Sequence, residues 1–331
     1  MSASESTSVS ISDAMEAYVD SVRLSRSENT ARTYRNALQS FATVLEDNDQ
    51  DPEETPVAEL SEDAIVSLAT AHKDSAPATE RLYLTAAKGF YEYLAAENLA
   101  EINLPRLRLL IKQRARRPGQ RLPQFPSEDI ETLLDYAQQL PENPAQDERH
   151  RLRLLRDRSF LMTLSDTGLR VHEACALRRG DIDWHEGKAL IVGKGNREDV
   201  VRFSSRSLSA LKDYLNARSQ LDGGSGRPLT SLPIFARHDR GAGNNVLPIT
   251  PTTGRNIVRK RVREALGEKA VGTITPHSFR HYFVTTVLRG SGGNLKLAQK
   301  LARHKNIGVT QRYAHLADDE LDRGYHEIFE Q

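Results

Sequence analysis

Residues 105–126 divide this chain. The stretch holds Pro105, Pro118, Pro123 and Pro126, and between positions 106 and 121 it carries seven basic residues and no acidic one. Proline breaks helices and strands, and like charges resist compaction, so the segment reads as a basic linker over 106–126. A single core cannot run through it, and 331 residues are enough for two ordinary domains. The two sides differ in charge. Residues 1–105 hold 19 acidic and 7 basic residues, a balance of −12, while the remainder holds 26 and 39, a balance of +13. The basic part suits a polyanion, most simply nucleic acid, unless its charges only form a solvated surface.

The N-terminal side is helical by pattern. Ser12 can cap a helix carrying Ala14, Tyr18 and Val22, and Ser27 or Asn29 can start one carrying Tyr34, Leu38, Phe41 and Leu45. A third helix is expected from Ser61, with Ile65, Leu68 and Ala69. A fourth runs from Pro77 to Asn98, with Tyr83, Ala87, Phe90 and Leu94 on one stripe. Residues 1–105 therefore form a small helical bundle. The second domain, 127–317, opens at Ser127, followed by Glu128 and Asp129 in a first turn. Two short strands, 189–192 and 199–203, flank the turn Gly193-Lys194-Gly195-Asn196, and helices resume after Ser207. The fold class is mainly α with a small β-hairpin sheet.

Several classes are excluded early. No apolar run approaches the ~20 residues that span a bilayer, and Met1 to Ser12 carries neither a basic start nor an apolar stretch. The lone cysteine, Cys175, rules out a disulfide framework and a paired-cysteine zinc site. A soluble, cytoplasmic, nucleoid-associated protein is expected, with no membrane partner.

Three segments carry chemistry. In Thr167-Gly168-Leu169-Arg170-Val171-His172-Glu173, a helix starting near Gly168 would put Arg170 and Glu173 on one face, with Leu169 and Leu177 inward. In Thr275-Pro276-His277-Ser278-Phe279-Arg280-His281, Thr275 and Pro276 mark a helix start. His277, Arg280, His281 and Val284 then share one side, opposite Phe279, Phe283 and Val287, and the cluster makes an anion site. The third segment is Leu301-Ala302-Arg303-His304 followed by Thr310-Gln311-Arg312-Tyr313.

In this order, Arg170, Lys194, His277, Arg280, His304 and Tyr313 strongly resemble the catalytic domain of tyrosine recombinases, the phage-integrase and Xer family. The helical N-terminal part resembles that family's SAM-like core-binding domain more loosely. The resemblance implies a two-domain clamp on DNA and a site-specific recombinase that cuts and rejoins strands through a 3′-phosphotyrosine. It implies Tyr313 as nucleophile, Arg170 and Arg280 as donors to the non-bridging oxygens, and His304 as a further donor. His277 would assist proton transfer or hold the phosphate. Lys194, in the hairpin turn, would be general acid toward the departing 5′ hydroxyl, and Glu173 would orient a histidine or an arginine. Fixed cations replace metal ions, so neither a metal nor any other cofactor is implied. The partners implied are double-stranded DNA with inverted half-sites and further protomers, as a tetramer on two duplexes or with a paralogous recombinase.

The sequence departs from the family pattern at Arg303, where glycine is usual; a glycine there would end the helix in a left-handed conformation. Asp199 and Arg202 stand where a basic residue and a proline are usual. The expected DNA face of the first domain is Arg81 and Lys88 on one helix and Arg32 and Arg35 on another, with Arg114 and Arg116 of the linker. The tail, 318–331, places Leu321, Tyr325, Ile328 and Phe329 on one helical stripe. The family reading inserts it into a neighbouring protomer; otherwise it covers its own domain. Three alternatives stay open at this level: a type IB topoisomerase-like relaxase, a metal-dependent nuclease using Asp166, Asp181 and Asp183, and a non-catalytic DNA-binding protein.

Overall fold

The computed structural model describes residues 9–116, 126–193, 197–311 and 313. Contacts divide the chain into two compact units, residues 1–120 and 121–331, each with its own core.

The first unit contains α1 (Ile11–Ser25), α2 (Glu28–Glu46), α3 (Ala64–Ala71), α4 (Pro77–Ala96) and α5 (Leu104–Arg114). Ser27 caps α2 by accepting the Thr30 N–H. The α1 cap is Ser10 rather than Ser12. The apolar stripes meet as their spacing demands: Ala14 and Val22 of α1, Leu38, Phe41 and Leu45 of α2, Leu68 of α3 and Phe90 and Leu94 of α4 are all buried.

Helix α5 corrects the linker reading. Residues 104–114 are helical because Pro105 sits in the first turn, where a missing N–H is no loss. Asn103 caps that turn, accepting the Arg106 N–H at 3.0 Å. Leu107 is fully buried, and Leu104, Leu110 and Ile111 pack on the same core. The like charges do not resist this, because the unit's acidic excess absorbs them. Arg106 pairs with Glu62 and Asp63, and Arg108 with Glu92. The rest of the expected linker up to residue 125, from Arg117, lies outside the described residues, as does the tail 318–331.

The second unit contains α6 (Ser127–Gln139), α7 (Glu148–Thr167), α8 (Val171–Ala176), β1 (Ile182–Asp183), β2 (Lys188–Gly193), β3 (Arg197–Arg202), α9 (Ser205–Ala217), α10 (Ser219–Gly223), α11 (Pro251–Leu266), α12 (Pro276–Gly290), α13 (Leu295–Ala302) and α14 (Ile307–Gln311). The sheet is antiparallel in the order β1-β2-β3, with Leu190 opposite Val200 and Ile182 opposite Ala189. Ala189 and Ile191 face the core while Leu190 and Val192 are exposed, the alternation of a one-sided sheet. Strand β1 is a third strand, beyond the two the sequence suggested.

Helix α7 is buried on nearly every side: Phe160, Leu161, Met162 and Leu164 have almost no exposure. It even buries Asp157, which is held by Arg156 and, at 2.6 Å, by Arg261 of α11. Two guanidiniums on one carboxylate satisfy the oxygens that burial strips of water. Helices α8 and α12 pack against α7, so the segments carrying Arg170 and Arg280 rest on the rigid centre of this unit. Among the described residues no helix is long and apolar enough to cross a membrane.

Candidate active site

The corner between α7 and α8 presents Arg170. Helix α7 does not continue into it; Gly168 closes α7 in the left-handed region at φ +60. A Cβ on Gly168 would stand 2.5 Å from the Phe283 ring, so both the backbone and the space require glycine. The helix expected from Gly168 therefore begins at Val171, with Arg170 as its extended N-cap. Glu173 folds back on that cap. Its Oε2 accepts the Arg170 backbone N–H at 2.8 Å and its Oε1 accepts from Arg170 Nη1 at 2.9 Å. Burial would raise the Glu173 carboxyl, but the Arg303 and Arg170 guanidiniums hold it below the usual carboxylate range.

Helix α12 supplies the next group. Thr275 and Ser278 cap each other reciprocally and Pro276 takes the first turn, as the motif predicts. Arg280 and Val284 are almost fully buried, while His277 on the same side of the helix stays exposed. Arg280 Nη1 donates to the Gly168 carbonyl at 2.6 Å, and Nη2 donates to the Ala302 carbonyl. One guanidinium thus joins the end of α7 to the end of α13. Burial, with the Arg170 and Arg303 charges, pushes its pKa down to about 10, which leaves it cationic at neutral pH.

The histidines gather around it. The His277 and His281 rings meet edge to face, 4.4 Å apart. Burial, then the Arg280 and Arg170 charges, lowers His277. His281 is pushed down to about 4 by burial, His277 and Arg280. His304 is pushed down to about 4 by burial and the same arginines. Its Nδ1 lies 2.9 Å from the Thr310 hydroxyl, and Gln299 donates to its carbonyl at 3.1 Å. Tyr313 is 4% exposed and packs with Val284, Leu288, Ala298 and Ala302. Its hydroxyl hydrogen-bonds His281 Nδ1.

Segments far apart in sequence thus converge, bringing Arg170, Glu173, His277, Arg280, His304 and Tyr313 into one cationic neighbourhood with neutral imidazoles. Lys194 lies outside the described residues. The family pattern gave no role to two participants: His281, the partner of Tyr313, which the sequence placed only in the anion cluster, and Arg303, noted only as a departure. The signal for His281 was its position four residues after His277 on one helix face.

The other candidates are dispersed. Arg32, Arg35 and Arg81 are exposed, Arg114 is exposed at the end of α5, and Lys88 pairs with Glu92 at 3.1 Å. Arg116 is corrected: its guanidinium is committed to Glu80, itself 2% exposed, and to the Ser75 carbonyl at 2.5 Å. It latches the chain after α5 onto the bundle. The three aspartates of the nuclease alternative serve local roles. Asp166 is held by Arg206, Ser165 and Ser204, Asp181 accepts the Arg178 N–H, and Asp183 accepts from His185 and Glu186. Among the described residues no three His, Cys, Asp or Glu side chains are placed to hold a metal ion.

Known proteins are similar to this chain. Residues 124–320 match the phage integrase family, and residues 15–98 match the phage integrase N-terminal SAM-like domain. The chain therefore belongs to the phage integrase family and is a tyrosine recombinase. It is 34% identical over 192 residues to the tyrosine recombinase XerC of Pelobacter propionicus, a match spanning 58% of this chain and 57% of that protein. It is 32% identical over 250 residues to XerC of Bacillus subtilis, covering 73% of this chain and 71% of that one. The crystal structure of the XerH site-specific recombinase bound to palindromic difH substrate superposes with a TM-score of 0.67 at 19% identity, covering 96% of this chain and 84% of that one.

Proposed function

We propose that this protein cleaves and rejoins double-stranded DNA at a specific site, with Tyr313 attacking a phosphodiester to form a 3′-phosphotyrosine. The observation that carries the reading is the Tyr313 hydroxyl held on His281, beside a buried Arg280 and the Arg170–Glu173 corner. A neutral imidazole accepts the phenol proton as the oxygen attacks. Arg170 and Arg280 donate to the non-bridging oxygens, where charge develops in the transition state. His304 and His277 add donors once the phosphate is in place, and Lys194 gives a proton to the departing 5′ oxygen. The phosphotyrosine conserves the bond energy, and the fixed cations meet the charge, so the reaction needs neither nucleotide nor metal ion.

In this reading, residues 127–317 form the catalytic domain, and the bundle of residues 1–105 holds the duplex through Arg32, Arg35, Arg81 and Lys88, with Arg114 beyond it adding a further contact. The site consists of inverted half-sites, and four protomers, alone or with a paralogue, act on two duplexes at the nucleoid. The tail 318–331 docks on a neighbouring protomer. The family membership and the XerH–difH complex support this reading.

The test begins by selecting bound sequences from random DNA with the purified protein. A nicked half-site substrate built on the selected sequence then traps the covalent adduct. Tyr313→Phe is expected to bind that DNA and form no adduct, and EDTA is expected to leave the wild-type adduct unchanged. An adduct in the Phe variant removes Tyr313 from the nucleophile's role.

A further inference from the structure

Arg303 occupies a position that folding alone does not explain. Helix α13 ends at Ala302, and Arg303 caps it at φ +57, ψ +43, in the left-handed region. A residue with a Cβ is strained there and glycine is not. The side chain does not escape to solvent; it is 4% exposed. Nη2 lies 3.0 Å from Glu173 Oε2 and 3.5 Å from the Gly168 carbonyl oxygen. Nε and Nη1 are buried with no hydrogen-bond partner among the described residues. A strained backbone and two orphaned donors are both unfavourable, and glycine would relieve both at once.

The function of this arrangement lies in charge. Glu173 is clamped against Arg170, and that pair alone is neutral. A neutral pair offers little to a phosphate. Arg303 takes the second oxygen of the same carboxylate, so the triad Arg170–Glu173–Arg303 carries one net positive charge. Arg303 grips the same Oε2 that accepts the Arg170 backbone N–H, so the two arginines together fix the Glu173 rotamer.

We propose that Arg303 is a positioning residue for strand cleavage: by gripping Glu173 it restores the cationic character of the Arg170 corner and holds Arg170 toward the scissile phosphate. The inference rests on the reading of Arg170 as a phosphate donor. Its effect passes through Arg170, so it is smaller than the 10²–10³ typical of removing a direct donor, and roughly tenfold is expected.

The experiment compares wild type, R303G, R303K, R170A and Y313F. Each is measured for single-turnover cleavage of the nicked half-site substrate, half-site affinity and melting temperature. R303G is expected to cleave roughly tenfold more slowly with little change in affinity, because it touches the cleavage step. Its melting temperature balances the relieved strain and orphaned donors against the lost partner of buried Glu173, so rates are compared at a temperature where wild type and R303G are both fully folded. R303K keeps the charge and is expected to recover part of the rate. Wild-type cleavage by R303G overturns the proposal. So does R303K no faster than R303G. If R170A cleaves normally, the phosphate reading of Arg170 itself fails, and the proposal falls with it. Loss of cleavage in R170A together with wild-type cleavage in R303G sinks only the positioning role.

Discussion

Replacing Arg280 with lysine separates its two tasks. The guanidinium already spends one nitrogen on the Gly168 carbonyl and one on the Ala302 carbonyl. Its Nε and the remaining hydrogens of the fork are what it can offer a phosphate. Lysine keeps the charge but concentrates its donors on a single nitrogen, which cannot reach two carbonyls that cap different helices. At least one of these buried carbonyls loses its partner. A hydrogen bond from a charged donor is worth about 1.5–3 kcal/mol. For a unit of this size, 1 kcal/mol moves the melting temperature by roughly 2–4 °C. Arg280→Lys is therefore expected to lower the melting temperature of the second unit by about 3–12 °C, from the lost bridge alone. The cleavage rate is expected to fall further, by roughly 10²–10³, since a forked donor to the developing anion is lost as well. Calorimetry and single-turnover cleavage on the same preparation read the two effects. An unchanged melting temperature would show that the carbonyl bridge carries no stability. Wild-type cleavage in a destabilised variant would refute the argument that forked donation from Arg280 matters to the chemistry.

Lys194→Ala is expected to be rescued by DNA with a 5′-bridging sulfur, because a thiolate leaves without a proton; Arg170→Ala should gain nothing from that substitution, and equal rescue of both would remove Lys194 from the general-acid role. His281 and His304 sit at about 4 in the folded protein, against ~6.5 when unfolded. The unfolded chain binds the more protons between these values, so their contribution to stability is complete above pH ~6.5 and is lost as pH falls toward 4. Thermal melts from pH 7.5 to 4.5 should show that decline, and His281→Asn with His304→Asn should flatten it. Glu80→Ala removes the buried anchor of Arg116 and is expected to lower stability by about 1–3 kcal/mol. Denaturant melts measure that loss, and half-site affinity should stay close to wild type, since Arg116 is not expected to touch DNA; a large loss of affinity without destabilisation would return Arg116 to the DNA-contact set.

Local rules, written in neighbouring residues, were legible in the chain. Helical spacing located the buried stripes of α1 to α4, the Thr275-Pro276 start of α12 depended only on residues within one turn, and two short apolar runs around a glycine-rich turn marked the β2–β3 hairpin. The order of Arg170, His277, Arg280, His304 and Tyr313 carried the chemistry for the same reason: each motif is short. Helix α5 was misread because a run of arginines looks like a tether until Glu62, Asp63, Glu92 and Glu80, distant in sequence, arrive to pair with it. The inward turn of Arg280 was equally hidden, since its partners are carbonyls 112 residues before it and 22 after it. Nor could a local rule tell what Arg303 does. Its left-handed backbone belongs to the end of α13, but its guanidinium answers a charge on Glu173, 130 residues away, and only the fold, in which Arg280 ties the Ala302 carbonyl to the Gly168 carbonyl, brings that charge within reach.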